Sequence, residues 1–208
     1  MRIFAIRHGR TEWNALGKIQ GRTDIPLSDE GKESAYSLAG KMREDGFIPT
    51  HVFTSPLKRA YMTAQIIADE FSLTPEIGRD FQEMSFGLWE GLSWAQIMEK
   101  YPAEFEIWNH DRTVCIPGGE SYIDLTRRVM PELRRACEKS DGDFAVVAHG
   151  AVIMAMHVVY EGIEFESIDK IMRHIQNSSV TVFDSARMLE NAEKFESSGK
   201  LVIRKGNM

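Results

Sequence analysis

An α/β fold, a three-layer sandwich with helices on both faces of a mostly parallel sheet, is predicted by three features of the sequence. Short apolar runs of strand length alternate with longer stretches of helical period. No linker rich in Pro, Gly or Ser divides the 208 residues, so a single domain over 1–208 is expected. The reactive side chains follow directly after three of the strand-like runs, at the edge where open α/β sheets bind their ligands.

Arg2 to Ile6 reads as the first strand. Ser28-Asp29-Glu30-Gly31 starts a helix to about Asp45, because Ser28 can cap it and Ala35, Leu38, Ala39 and Met42 share one face. His51 to Thr54 is the next strand, and Pro56 is placed in the first turn of a helix to about Phe71, where its missing N–H is tolerated. A further helix covers Ser93 to about Tyr101. Glu120 to Lys139 is another, with Pro131 expected to bend it or displace its start. Asp143 to Ala148 is the most apolar strand, followed by a buried helix from Gly150 to Tyr160. Val180 to Phe183 and Leu201 to Ile203 complete the sheet.

Several function classes are excluded or disfavoured by composition. Lys and Arg number 25 against 31 Asp and Glu, and the net charge of −6 repels a nucleic-acid backbone. Ala151 to Met156 is the longest apolar run, far short of the roughly 20 residues of a membrane span. Arg7, His8 and Arg10 interrupt the N-terminus before a signal-like stretch can form. Cys115 and Cys137 suit neither a disulfide framework nor a zinc ribbon, so both are read as reduced thiols of a cytoplasmic protein. A homodimer remains an open alternative to a monomer. Gly9 and Gly17-Lys18 lack the spacing and the hydroxyl of a P-loop.

Five motifs come in order along the chain. They are Arg7-His8-Gly9-Arg10-Thr11-Glu12-Trp13-Asn14; Ser55-Pro56-Leu57-Lys58-Arg59-Ala60; Glu83 ahead of Phe86-Gly87-Leu88-Trp89-Glu90-Gly91; Pro117-Gly118-Gly119-Glu120-Ser121; and His149-Gly150. This set resembles the histidine phosphatase superfamily, the phosphoglycerate mutase-like proteins, and the span 7–150 covers most of the chain. The resemblance implies that fold, a small phosphorylated metabolite as substrate, and no cofactor or metal. It also implies a substrate-specificity region at about 84–120.

Residue chemistry supplies a role for each motif. Phosphoryl transfer needs an aligned nucleophile, positive donors around the equatorial oxygens, and a proton for the leaving alkoxide. An imidazole with an ordinary pKa near about 6.5 is largely neutral at pH 7 and attacks without a general base, which suits His8. Arg7 and Arg59 can fork onto phosphoryl oxygens. His149, with Gly150 opening a helix behind it, points positive charge at the same oxygens. Glu83 is the proton donor, its pKa to be raised by apolar neighbours such as Phe81, Met84, Phe86 and Trp89. The resemblance adds Asn14 and the Gln20-Gly21 turn as phosphate contacts.

Phosphatase chemistry is favoured over a mutase. Cofactor-dependent phosphoglycerate mutases of this family have Glu-Arg-His-Tyr where this chain has Glu83-Met84-Ser85-Phe86, and carry an Arg-Arg insertion absent here. The Gln20-Gly21-Arg22-Thr23-Asp24 turn is similar to small bacterial phosphatases, including those acting on α-ribazole phosphate, and Arg22 can supply one substrate-binding charge. A non-catalytic binding or regulatory module is the third reading, disfavoured because no catalytic position is lost. His51, His110, His157 and His174 are read as structural. Arg127-Arg128 and Arg134-Arg135 are read as a solvated face mixed with Asp124, Glu132 and Glu138. Trp89, Trp94, Tyr101, Phe105 and Trp108 are read as either a wall over the site or plain core.

Overall fold

Successive residues of a strand face opposite sides of a sheet, and in strand β1 (Arg2–Arg7) that alternation feeds two separate cores. Phe4 and Ile6 pack with Ala145 and Val147 of β4 (Phe144–Ala148) and Val52 of β2 (His51–Thr54). Helices α2 (Asp29–Glu44) and α3 (Lys58–Glu70) cover that face through Ala35, Ala39, Met42, Ala60, Ala64 and Ile67. Ile3 and Ala5 face the other way with Phe144 and Val146, under α6 (Tyr122–Lys139), α7 (Gly150–Glu161) and α8 (Ser185–Ser198). Each fully buried Ile, Phe or Val contributes about 1.5–3 kcal/mol, so the two layers anchor the sheet from both sides.

The computed structural model describes residues 1–163, 165, 168 and 175–198. Two further strands, β3 (Pro75–Ile77) and β5 (Val180–Asp184), give the order β3-β2-β4-β1-β5. The first four are parallel to one another and β5 is antiparallel to β1. Arg7 pairs with Ala148 and Thr54 with Val147, so β1, β4 and β2 end at one level. His8, His149 and Ser55 follow these ends, and the amides of His8 and Ser55 continue the ladder onto the carbonyls of Ala148 and Val147 at 3.1 Å each.

The sandwich follows the expectation, with local corrections. Pro56 precedes α3 rather than occupying its first turn, because Leu57 is the extended cap residue and Ser55 Oγ accepts its N–H at 3.3 Å. Pro131 lies inside α6 without displacing its start, which the reciprocal bonds between Ser121 and Asp124 fix. Four elements went unread in the sequence: α1 (Glu12–Ala15), β3, α5 (Pro102–His110) and α8. The first two are very short, and α5 has a mixed rather than a striped apolar pattern. The strand expected at Leu201 to Ile203 lies outside the described residues. Helices α4 (Trp94–Lys100) and α5 hold much of the specificity region. Among the described residues no helix is long and apolar enough to cross a membrane.

Candidate active site

His8 is 2% exposed and its ring orientation is fixed from both ends. Nδ1 lies 2.7 Å from the Gly9 carbonyl, which can only accept, so the ring proton sits on Nδ1. That leaves the Nε2 lone pair facing Arg59, whose Nε donates to it at 3.3 Å. Burial, then the charges of Arg59 and Arg7, hold the His8 pKa well below its ordinary 6.5. The imidazole is therefore neutral at pH 7 and carries an in-plane lone pair. Gly9 is itself held by Thr63 Oγ1, which accepts its N–H at 3.0 Å.

Arg59 joins this ring to the 20–24 turn. Its Nη1 donates to the Thr23 carbonyl at 2.8 Å and its Nη2 to the Gly21 carbonyl at 2.7 Å, leaving one N–H on each terminal nitrogen for a ligand. Burial lowers its pKa to about 10, so it stays charged at neutral pH. Gly21 has φ +51°, and a Cβ there would fall 2.1 Å from Glu90 Oε1. The Glu90 carboxylate needs that space: it accepts from the amides of Arg22, Thr23 and Phe86 and from Thr23 Oγ1.

His149 is fully buried with its ring centroid 5.2 Å from that of His8. The Leu57 N–H donates to Ser55 Oγ, so the Ser55 hydroxyl proton is available to His149 Nε2 at 2.8 Å. With the hydroxyl donating in this way the ring's own proton is carried on Nδ1, and that nitrogen is buried without a hydrogen-bond partner. Burial first, and then the charges of Arg59, His8 and Arg7, hold this imidazole well below its ordinary pKa as well. His149 is therefore neutral at rest, and the positive character it offers a ligand is that of its N–H. Arg7 shows the same feature: its Nη1 donates to the Ile175 carbonyl at 2.8 Å, while its Nε is buried and unpartnered.

Glu83 completes the cluster. Its Oε1 accepts the Met84 N–H at 2.9 Å and its Oε2 the Ala151 N–H, in the first turn of α7, at 3.4 Å. Burial raises its pKa above the ordinary carboxylate value, outweighing those two bonds and the charges of Arg59 and Arg7. Its backbone is held by Arg128, and here the solvated-face reading is corrected. Arg128 places all five N–H groups: on the carbonyls of Asp80, Gln82 and Glu83, and on both oxygens of Glu120. Glu120 also accepts from Arg22 Nη2 at 2.6 Å and from the Ser85 amide. Burial alone would raise the Glu120 pKa, but the bonds from Arg128 and Ser85 and the charges of Arg128 and Arg22 bring it below the ordinary value.

A cleft of about 300 Å³ opens above these groups, lined by Arg7, Asn14, Gln20, Gly21, Glu83 and Gly150 among others. The Asn14 carboxamide oxygen takes donors from Thr11 and from Asn177, so its NH2 is the end left for a ligand. Asn177 Nδ2 also donates to the His8 carbonyl at 3.0 Å. The structure thus brings every site residue read from the sequence to one edge. Sequence reasoning missed the roles of Ser55, Glu90, Glu120, Arg128 and Asn177. Only the first three lay inside quoted motifs, and Asn177 is distant in sequence with no local signal.

The aromatic group divides. Trp89 and Trp108 are core, while Trp94, with Phe86, lines the cleft. His110 is exposed, and His157 packs edge-on against Phe183; His174 lies outside the described residues. Arg134 and Arg135 pair with Glu193, Glu196, Glu132 and Asp80, a mixed charged face as read. Among the described residues no group of three or more His, Cys, Asp or Glu stands where it could hold a metal ion.

Residues 3–196 match the family model described as Histidine phosphatase superfamily (branch 1). Phosphoglycerate mutase-like protein 4 of Arabidopsis thaliana is 37% identical over 187 residues, covering 87% of this chain and 78% of that protein. Phosphoserine phosphatase 1 of Hydrogenobacter thermophilus is 31% identical over 166 residues, covering 79% of this chain and 78% of that one. Among solved structures, a mycobacterial glucosyl-3-phosphoglycerate phosphatase complexed with VO3 aligns with a TM-score of 0.78 at 27% identity, over 87% of this chain and 91% of the other. The chain belongs to the histidine phosphatase superfamily, and its class of chemistry is that of a phosphoric monoester hydrolase.

Proposed function

We propose that the chain hydrolyses small phosphomonoesters through a phosphohistidine on His8, using no metal ion. The observation that carries this reading is the pair of unpartnered buried donors, Arg7 Nε and His149 Nδ1, beside the His8 ring. A buried donor without an acceptor costs about 1–3 kcal/mol, and a phosphoryl group in the cleft supplies acceptors to both. The free N–H groups of Arg59 and the Asn14 amide add to the same cradle.

In the first step the His8 Nε2 lone pair forms the N–P bond in place of its weak contact with Arg59, and the P–O bond to the substrate alcohol breaks. The protonated Glu83 carboxyl gives its proton to the departing oxygen. In the second step water attacks phosphorus, Glu83 takes the water proton, and the N–P bond breaks to release phosphate and neutral His8. Arg7, Arg59 and the start of α7 stabilise the charge on the equatorial oxygens in both steps.

A phosphoglycerate mutase is the second reading, supported by the naming of the Arabidopsis relative. Against it, Arg128 spends all five N–H groups within the protein and has none left for a second anionic group, and Arg22 is drawn onto Glu120. The same proposal places the protein in the cytoplasm, in keeping with two cysteines that are both free. Turnover of p-nitrophenyl phosphate is expected to survive exhaustive chelation with EDTA and to be inhibited by vanadate, which takes up five-coordinate geometry on His8. Loss of activity in EDTA and its recovery with a divalent ion would remove this mechanism.

A further inference from the structure

Beyond the phosphate cradle the cleft changes character. Its apolar lining is Phe86, Trp94, Met154, Ala151, Ile175 and Ile19. Phe86 and Trp94 meet edge to face with centroids 6.5 Å apart, and Trp94 is backed by Trp108 in a stacked pair at 5.7 Å. Trp94 is 37% exposed, whereas Phe86 is 9%, so the indole is the rim of the wall and the phenyl its base. Large flat apolar surface left open beside a polar anchor is the usual make-up of a ligand pocket, with the polar groups fixing orientation and the wall selecting shape.

Most of the positive charge around this wall is drawn onto Glu120. Arg22 is joined to Glu120 at 2.6 Å, and Arg128 uses all five N–H groups on Glu120 and three carbonyls. Lys18 is the one cation lining the cleft besides Arg7 among the described residues, and its ammonium lies 5.6 Å from the Trp13 ring centroid. A substrate carboxylate is best held by an arginine fork, and Arg7, which serves the phosphate cradle, is the only arginine lining the cleft among the described residues. An apolar substituent, by contrast, loses water contact against Phe86, Trp94 and Met154 without leaving a polar group unpaired.

We infer that the preferred substrates are monoesters of apolar, preferably flat, alcohols, selected by Phe86 and Trp94, rather than phosphorylated amino or hydroxy acids. This inference rests on the phosphatase reading above and narrows it. It separates this chain from relatives whose names specify phosphoserine or glucosyl-3-phosphoglycerate.

The test compares alcohols of similar leaving ability, so that chemistry does not masquerade as binding. Values of kcat/KM would be measured for benzyl, n-hexyl and methyl phosphate, O-phosphoserine and 3-phosphoglycerate, on wild type, Trp94→Ala and Trp94→Phe. Benzyl and hexyl phosphate are expected to exceed both acids by roughly tenfold or more, the scale on which an apolar pocket discriminates. The benzyl-to-methyl ratio is expected to collapse in Trp94→Ala and to recover in Trp94→Phe; because it is a ratio within each variant, a general loss of folded protein does not change it. Phosphoserine or 3-phosphoglycerate as the better substrate would overturn the inference and leave the phosphatase reading standing. A benzyl-to-methyl ratio unchanged in Trp94→Ala would overturn the assignment of the wall. No turnover of any monoester would overturn both.

Discussion

His8→Ala is expected to lose essentially all turnover, about 10⁴-fold or more on the scale of removing a covalent nucleophile, while the protein stays folded. The expectation follows from where the side chain sits. His8 follows the last residue of β1, outside both apolar cores, and its ring is held by the neighbouring Gly9 carbonyl and by a long bond from Arg59 Nε. Losing these bonds costs about 0.5–1.5 kcal/mol each. Removing an imidazole that two arginines and burial keep uncharged leaves no charge behind to be compensated. Circular dichroism and thermal unfolding would check the fold, and steady-state kinetics the loss. A variant keeping a tenth of the activity would show that His8 is not the nucleophile.

Glu83→Gln separates the two steps of the proposed chemistry. General acid catalysis is worth about 10²–10⁴-fold, and that loss should fall on alkyl phosphates, whose alkoxide needs a proton to depart. p-Nitrophenolate is stable as an anion, so kcat/KM for p-nitrophenyl phosphate, which reports formation of the phosphoenzyme, should be affected far less, while the shared water step slows for both. The pH dependence carries a matching sign. His8 must be neutral and its pKa lies well below 6.5, so the acid limb of kcat/KM falls below that value. Glu83 must be protonated, and burial raises its pKa above 4.5, so activity toward alkyl esters declines as pH rises through that raised value. Glutamine does not titrate, and the alkaline limb due to Glu83 should vanish in the variant. Equal losses in kcat/KM on both substrate types would assign Glu83 to positioning instead.

The sheet and its chemistry were legible because the alternation of Ile3, Phe4, Ala5 and Ile6, and the apolar run of Phe144 to Ala148, define the strands, and the reactive residues come directly after them. Register, which no local pattern reveals, then brings Arg7 level with Ala148 and places His8 beside His149. The positioning layer was hidden for a physical reason. Arg128 sits on an amphipathic helix among acids, so by sequence it resembles any solvated arginine; only the fold delivers the Asp80, Gln82 and Glu83 carbonyls to its fork. Asn177 depends likewise on the return of the chain toward β5 to reach the His8 carbonyl and Asn14. The neutrality of His149 was not legible, because burial and the charges that the fold brings near it, not its sequence neighbours, set its protonation. The short β3 has too few residues to show a period.

The covalent intermediate is the claim on which the chemistry depends, and it can be caught. Rapid quenching into alkali during turnover of a radiolabelled monoester, followed by peptide mapping, should find one phosphoryl group per active site. It should be stable in base, labile in acid, and located on His8. On a chase with unlabelled substrate it should appear in inorganic phosphate at the turnover rate, even when 3-phosphoglycerate is present as an acceptor. Label on another residue, no label on a protein that is turning over, or transfer of most label to the acceptor would contradict a hydrolytic phosphohistidine at His8.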